Sequence, residues 1–354
     1  MNSFNYNIDK RVFTFNFPAG TSRGVLHNKT SWFVSFSIGS KFGIGECSII
    51  KGLSPDYVDD AQYESSLIAA LESFKKEIYN RNGLIDKDLI SNNSNLYKIT
   101  KKSPSIRFGI EMAFLNLFYK DSVYFENNFS LNNYKIPING LIWMGDISFM
   151  KSQIDQKIKE GFKTIKLKIG SLDFNTELSI LKEIRKKYSK DEITLRVDAN
   201  GSYSLDVVSL VLSELSKLDI HSIEQPIAVG QIKEMSDLCK TTPVPIALDE
   251  ELILCSEFDD KVRLLEEIKP QFIILKPSLH GGIQGCNEWI QIAEKNKIKW
   301  WVTSALESNI GLNAICQYTF EFNNSLPQGL GTGSLYKDNI ESSLKVKDGY
   351  IFIE

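Results

Sequence analysis

Thr164-Ile165-Lys166-Leu167-Lys168-Ile169-Gly170 is the stretch on which the fold turns. Successive side chains of an extended strand point to opposite faces. Lys166 and Lys168 therefore share one face, and Ile165, Leu167 and Ile169 the other. On an exposed edge strand the lysines would simply be solvated. On a parallel strand whose outer face is covered by helices, the apolar residues meet the helices and the lysines point inward.

The surrounding sequence decides between these. Strand-like runs begin near Ile136 (IPINGLIW), Thr164, Ile193 (ITLRVDAN), Ile220 (IHSIEQP), Pro245 (PIALDE), Phe272 (FIILKPS), Lys299 (KWWVTSA) and Leu326 (LPQGLGTG). Successive starts lie 25 to 29 residues apart, the length of a strand, a helix and two short loops. Most intervening segments carry helical periodicity. After Asp146 as N-cap, Ile147, Met150, Ile154 and Ile158 share a face, and Gly161 can end the helix. Val208, Val211, Leu212, Leu215 and Leu218 form a second stripe; Phe258, Val262, Leu265 and Ile268 form a third, stopped by Pro270. Eight strands joined by seven crossovers point to a closed parallel barrel over residues 134–333, with an open doubly wound sheet as the alternative.

Residues 1–130 read differently. Val12 to Phe17, and Trp32 to Glu46 broken at Gly39-Ser40-Lys41, resemble antiparallel strands with a turn. Helical segments follow, notably Ile106, Ile110, Ala113, Phe114 and Leu117. The expectation is an α+β domain placed before the barrel and joined by the tail 336–354, whose Tyr350-Ile351-Phe352-Ile353 is a possible last strand returning to it.

Bulk properties narrow the function. The 354 residues are 42% hydrophobic and 24% charged, an ordinary globular balance with net charge −3. No long basic block occurs, which argues against a nucleic-acid surface. The start lacks the charged-then-apolar order of a secretory signal, and no run of about 18 apolar residues marks a membrane span. Five scattered cysteines form neither a CxxC pair nor a disulfide framework, so a reducing cytoplasm is expected.

Asp198, Glu224 and Asp249 end the third, fourth and fifth strands, 26 and then 25 residues apart. Adjacent strands lie about 4.8 Å apart, so three carboxylates should gather at the C-terminal mouth, where barrel enzymes place their chemistry. Each alone reads as a loop acid or helix cap. Together and bare they would repel, and one would be forced to hold a proton. A hard divalent cation such as magnesium, with manganese as the alternative, removes that problem. Lys276 ends the sixth strand, four strands from Lys168, so a substrate held on the metal would sit between the two amines. This suits removal of a proton beside a carboxylate. The metal stabilises the enediolate charge as it develops, and the cation of Lys166 favours a free amine on Lys168.

The set Lys166-Leu167-Lys168, Asp198-Ala199-Asn200, Glu224-Gln225-Pro226, Asp249-Glu250 and Lys276-Pro277 resembles the muconate-lactonizing subgroup of the enolase superfamily. The likeness implies an α/β fold, a (β/α)7β TIM-like barrel with an N-terminal α+β capping domain. It also implies Asp198, Glu224 and Asp249 as Mg2+ ligands, Lys168 as acid/base catalyst and Lys276 as its partner across the site. Lys166 and Asn200 would be supporting residues, with Glu250 beside them in the outer shell.

Within the subgroup the likeness is strongest to the branch that forms o-succinylbenzoate. It rests on residues 18–24, 45–48, 105–109, 139–145, 304–308 and 329–333, expected at strand ends and in the cap where specificity is set. It implies dehydration of 2-succinyl-6-hydroxy-2,4-cyclohexadiene-1-carboxylate in menaquinone biosynthesis, a small carboxylate substrate with no nucleic-acid or membrane partner, and Ser22, Arg23, Trp143, Ser304, Ser308, Gly331 and Thr332 as substrate contacts. N-acylamino-acid racemase, dipeptide epimerase and muconate cycloisomerase remain alternatives on the same scaffold, with a Schiff-base aldolase using Lys276 more remote. His221 falls at the wrong end of the barrel and reads as structural; His280 follows Lys276 in a loop. The motifs do not set the oligomeric state.

Overall fold

A computed structural model describes residues 4–21 and 24–354. The chain opens with an antiparallel sheet, β1 (Phe4–Thr21), β2 (Gly24–Ile38) and β3 (Lys41–Ser48), in the order β1-β2-β3. β1 is much longer than the expected Val12 to Phe17, because its pairing with β2 runs unbroken from Phe4↔Ile38 to Thr14↔Asn28 before an irregularity. Against this sheet lie α1 (Asp60–Asn80) and α3 (Pro104–Tyr119); α2 (Asn95–Ile99) packs on α1, and α4 (Asn128–Asn132) follows toward the barrel. α3 is buried on almost every side, as its run of apolar residues demands. It approaches β3 so closely that a Cβ on Gly45 would lie 2.0 Å from the Gly109 carbonyl oxygen. That contact explains Gly45 and Gly109 as packing residues.

The barrel sheet holds seven parallel strands among the described residues: β5 (Gly140–Ile142), β6 (Thr164–Lys168), β7 (Thr194–Asp198), β8 (Ser222–Glu224), β9 (Ile246–Leu248), β10 (Phe272–Leu275) and β11 (Lys299–Val302), neighbours in sequence order. Crossing between and after them are α5 (Ile147–Lys159), α6 (Phe174–Lys187), α7 (Leu205–Ser216), α8 (Ile232–Thr241), α9 (Phe258–Ile268), α10 (Gly282–Lys295) and α11 (Asn309–Phe320). Asp146 caps α5 through the Phe149 amide at 2.8 Å, and Gly161 follows at φ 82. Ile165, Leu167 and Ile169 pack outward into the main apolar cluster. Inside, Ala247, Phe272, Ile274 and Trp301 fill the barrel beneath the mouth, with the Arg196 guanidinium 4.0 Å from the Trp301 ring. No helix among the described residues is long and apolar enough to cross a membrane.

Three expectations need correction. The run from Ile136 is two elements: β4 (Ile136–Pro137) pairs with the tail, and β5 carries the ladder to β6. The eighth run forms no regular strand; Gln328 and Gly329 make single parallel bridges to Ile138 and Thr303 and so close the barrel. Pro327 has no N–H to give a ladder, and glycines offer no side chain to pack along one. The tail hairpin, β12 (Leu344–Lys347) and β13 (Tyr350–Ile353), pairs with β4 instead of the cap sheet. The start of the tail does reach the cap, where the Asn16 amide donates to Leu335 and Lys337 to Thr14.

Candidate active site

Strand register brings the charged residues to one level. Lys168 pairs with Asp198, and Asp198 with Glu224, across three adjacent strands; Asp249 follows β9 and Lys276 follows β10. Lys166 and Lys168 point into the barrel, as the alternating pattern predicts. Lys166 Nζ lies 2.8 Å from Asp198 Oδ2 and also contacts Glu224. Lys168 Nζ donates to Asp198 Oδ2 at 2.6 Å and to Asn200 Oδ1 at 2.9 Å. Lys276 pairs with Asp249. Asn200 in turn donates to Glu250 Oε1 at 2.8 Å, so it holds Lys168 directly and links it to Glu250.

All six charged groups of this floor are buried or nearly so. A lone charge there would cost several kcal/mol of lost hydration, roughly; placing each amine against a carboxylate offsets that cost. Burial pushes Asp198 up, but Lys166 and Lys168 outweigh it and hold its carboxyl well below the usual range. For Asp249 the opposing pull of burial and Lys276 ends at about 2. Glu224 goes the other way: burial, then Asp198, raise it well above an ordinary carboxylic acid. Burial alone would lower Lys166 and Lys276, yet their carboxylate neighbours raise both, so each remains a cation.

No group of three His, Cys, Asp or Glu side chains among the described residues closes into a ready metal cage. The oxygens are turned toward lysine ammonium groups instead. Even so, Glu224 Oε1 and Asp249 Oδ1 are buried without a hydrogen-bond partner. Unpartnered buried carboxylate oxygens on adjacent strands, in an all-oxygen donor set, fit a hard divalent cation.

Above the floor opens a cavity of about 350 Å³, lined by Lys166, Lys168 and Lys276 below and by cap residues above. Trp143, Ser304, Gly331 and Thr332 line it. Trp143 is fixed from behind, its amide donating to Gln153 Oε1 and its carbonyl accepting from Gln153 Nε2, both at 3.0 Å. Ser304 and Thr332 share a hydroxyl hydrogen bond of 2.7 Å. Ser22 and Arg23 lie outside the described residues.

Ser308 is a correction. It is fully buried, caps α11, and gives its amide (2.9 Å) and hydroxyl (2.6 Å) to Glu46 of β3. Glu46 also accepts from Ser31 Oγ at 2.7 Å and the Gly311 amide at 3.0 Å. This buried knot clamps the cap onto the barrel, and residues 45–48 serve it. Residues 105–109 lie in α3, where Arg107 donates to Thr100, Gly281 and Tyr97. Neither stretch lines the cavity.

Several lining residues were not singled out as substrate contacts, although Asn139 falls in the stretch 139–145 expected to set specificity. Asn139 is 4% exposed, and its Oδ1 has no partner. Thr303 precedes Ser304, and Ile50, Lys51 and Leu53 reach in from the cap turn after β3. The Lys51-Gly52 pair after a strand was a turn signal, though nothing placed that turn over the barrel. His280 stands behind the cavity, its Nδ1 accepting the Lys276 amide at 2.9 Å. His221 packs against Phe272 and Trp301 at the far end of the barrel.

Residues 150–354 match the family described as enolase C-terminal domain-like. The chain is 42% identical to an o-succinylbenzoate synthase of Desulfotalea psychrophila over 95% of either chain. The crystal structure of MenC from the same organism superposes with a TM-score of 0.84 at 37% identity, covering 99% of each chain. A dipeptide epimerase from Cytophaga hutchinsonii, solved with Mg and D-Ala-L-Val, gives 0.81 at 20% identity over 99% of this chain and 93% of that one; at that identity the likeness concerns the fold.

Proposed function

The chain belongs to the enolase C-terminal domain-like family, and on that premise we propose that it removes water from 2-succinyl-6-hydroxy-2,4-cyclohexadiene-1-carboxylate to form o-succinylbenzoate. The near full-length likeness to an o-succinylbenzoate synthase carries this reading. The cavity supports it: amines from strands four apart share one floor beneath walls of mixed polarity.

Members of this family depend on a divalent cation. Here Asp198, Glu224 and Asp249 would hold it, and we take it to be magnesium. When bound, it supplies positive charge to the substrate's ring carboxylate and lowers the cost of charge building there. The remaining chemistry belongs to side chains. Lys168, held by Asp198 and Asn200, takes the proton beside the ring carboxylate and returns it to the departing hydroxyl. Lys276, kept cationic by Asp249, faces the ring from the other side and attracts its growing negative charge. Lys166, cationic between Asp198 and Glu224, holds those two carboxylates in place beneath Lys168. Trp143 and Leu306 keep water from the ring, while Ser304 and Thr332 offer hydroxyls to substrate oxygens.

We place the reaction in menaquinone biosynthesis and in the cytoplasm; five unpaired cysteines support a reducing compartment. The test is an ultraviolet assay for o-succinylbenzoate with magnesium-loaded protein. Product that disappears with chelator and returns with magnesium is expected; no product from folded, metal-loaded protein would refute the reading.

A further inference from the structure

The cavity has two ends of opposite character. Its floor carries three lysines, each already set against a carboxylate. Its roof is apolar, built from Val25, Leu26, Ile50 and Leu53, with Lys51 the one charged side chain among the described roof residues.

Lys51 stands on a turn built to hold it. The Leu53 and Ser54 amides donate to the Ile50 carbonyl at 3.0 and 2.9 Å, and Ser54 Oγ accepts the Ile50 amide at 2.9 Å. Gly52, at φ +77, supplies the backbone conformation that lets the turn close. The side chain is exposed, and the neighbours of its ammonium are distant or already engaged. It lies 5.9 Å from the Tyr57 ring, and the carboxylate whose charge it feels, Asp60, is held by Lys10 at 2.5 Å and by the Tyr57 hydroxyl at 2.6 Å. Among the described residues Lys51 makes no ion pair within 4.0 Å.

Resting on the reaction assigned above, we propose that Lys51 is the specificity residue for the second carboxylate of the substrate, at the end of its succinyl chain. The substrate is a dianion whose two carboxylates are joined by a four-carbon acyl arm and the ring. With the ring carboxylate on the floor, the arm points to the roof, where Lys51 stands at the exposed rim with no ion pair among the described residues. A carboxylate there gains a charge-assisted contact; a methyl group in its place leaves the ammonium unpaired.

The experiment compares o-succinylbenzoate with 2-butanoylbenzoate, which carries a methyl group in place of the distal carboxylate, by calorimetry on magnesium-loaded protein, alongside turnover. Wild type should bind o-succinylbenzoate about tenfold or more tightly than the butanoyl compound. Lys51→Met should erase most of that preference and raise KM while the butanoyl affinity stays put; Lys51→Arg should keep it. Lys51→Met that retains the preference, in protein that turns over, overturns the role of Lys51 alone. Wild type that binds both compounds equally while turning over does the same. Wild type that forms no product overturns the reaction assignment, and this proposal with it.

Discussion

Floor and roof of one cavity follow different rules. The floor sits on strand ends whose register fixes each charged group beside its neighbour. The roof hangs from a cap turn, attached through the sheet and α3 and clamped by the Glu46 knot. Chemistry needs groups held within a fraction of an ångström, and strands supply that. Selection among substrates tolerates more give, and a loop supplies it.

The largest effect should come from the floor. Lys168→Ala is expected to lower kcat by about a thousandfold or more, with o-succinylbenzoate still binding by calorimetry; near-normal turnover would place the base elsewhere. Glu224→Gln should come next, weakening magnesium binding in a direct titration and reducing kcat by at least about a hundredfold. If metal affinity is unchanged, Glu224 is not a ligand. These two variants should leave the preference between succinyl and butanoyl compounds intact, because that preference belongs to the roof.

The difference also explains what could be read in advance. Floor residues were legible because a barrel repeats: Asp198, Glu224 and Asp249 recur once per unit, and Lys166 and Lys168 share a strand face. Periodicity carries position into space. The roof has no such period. Lys51 lies 115 residues before Lys166 (166 − 51), and only the packing of α3 on β3 and of Glu46 on Ser308 brings its turn over the mouth. For the same reason Ser308 looked like a substrate contact when it is an anchor: its motif falls near a strand end, but its hydroxyl turns toward the cap. The eighth run failed differently, since length and spacing suited a strand while Pro327 and the glycines forbade a regular ladder.

The boundary between floor and roof can be probed by the anchor. Ser308→Ala removes the hydroxyl bond to Glu46 and the α11 cap, and should cost about 1–3 kcal/mol in chemical denaturation. Its effect should fall on KM more than on kcat. An unchanged denaturation midpoint would mean the clamp contributes nothing. Smallest of all, Ser304→Ala should raise KM by only about two- to fivefold, since Thr332 remains as a hydroxyl partner for the substrate; a loss as large as that of Lys168→Ala would give Ser304 a part in the chemistry.

The central claim is that adjacent strand ends gather one cation and one substrate between two amines. A crystal structure of the protein with magnesium and o-succinylbenzoate tests it most directly. The account predicts the cation on Asp198, Glu224 and Asp249, with the ring between Lys168 and Lys276. A cation bound away from those three carboxylates, or a ring that leaves both lysines on one side, would contradict it.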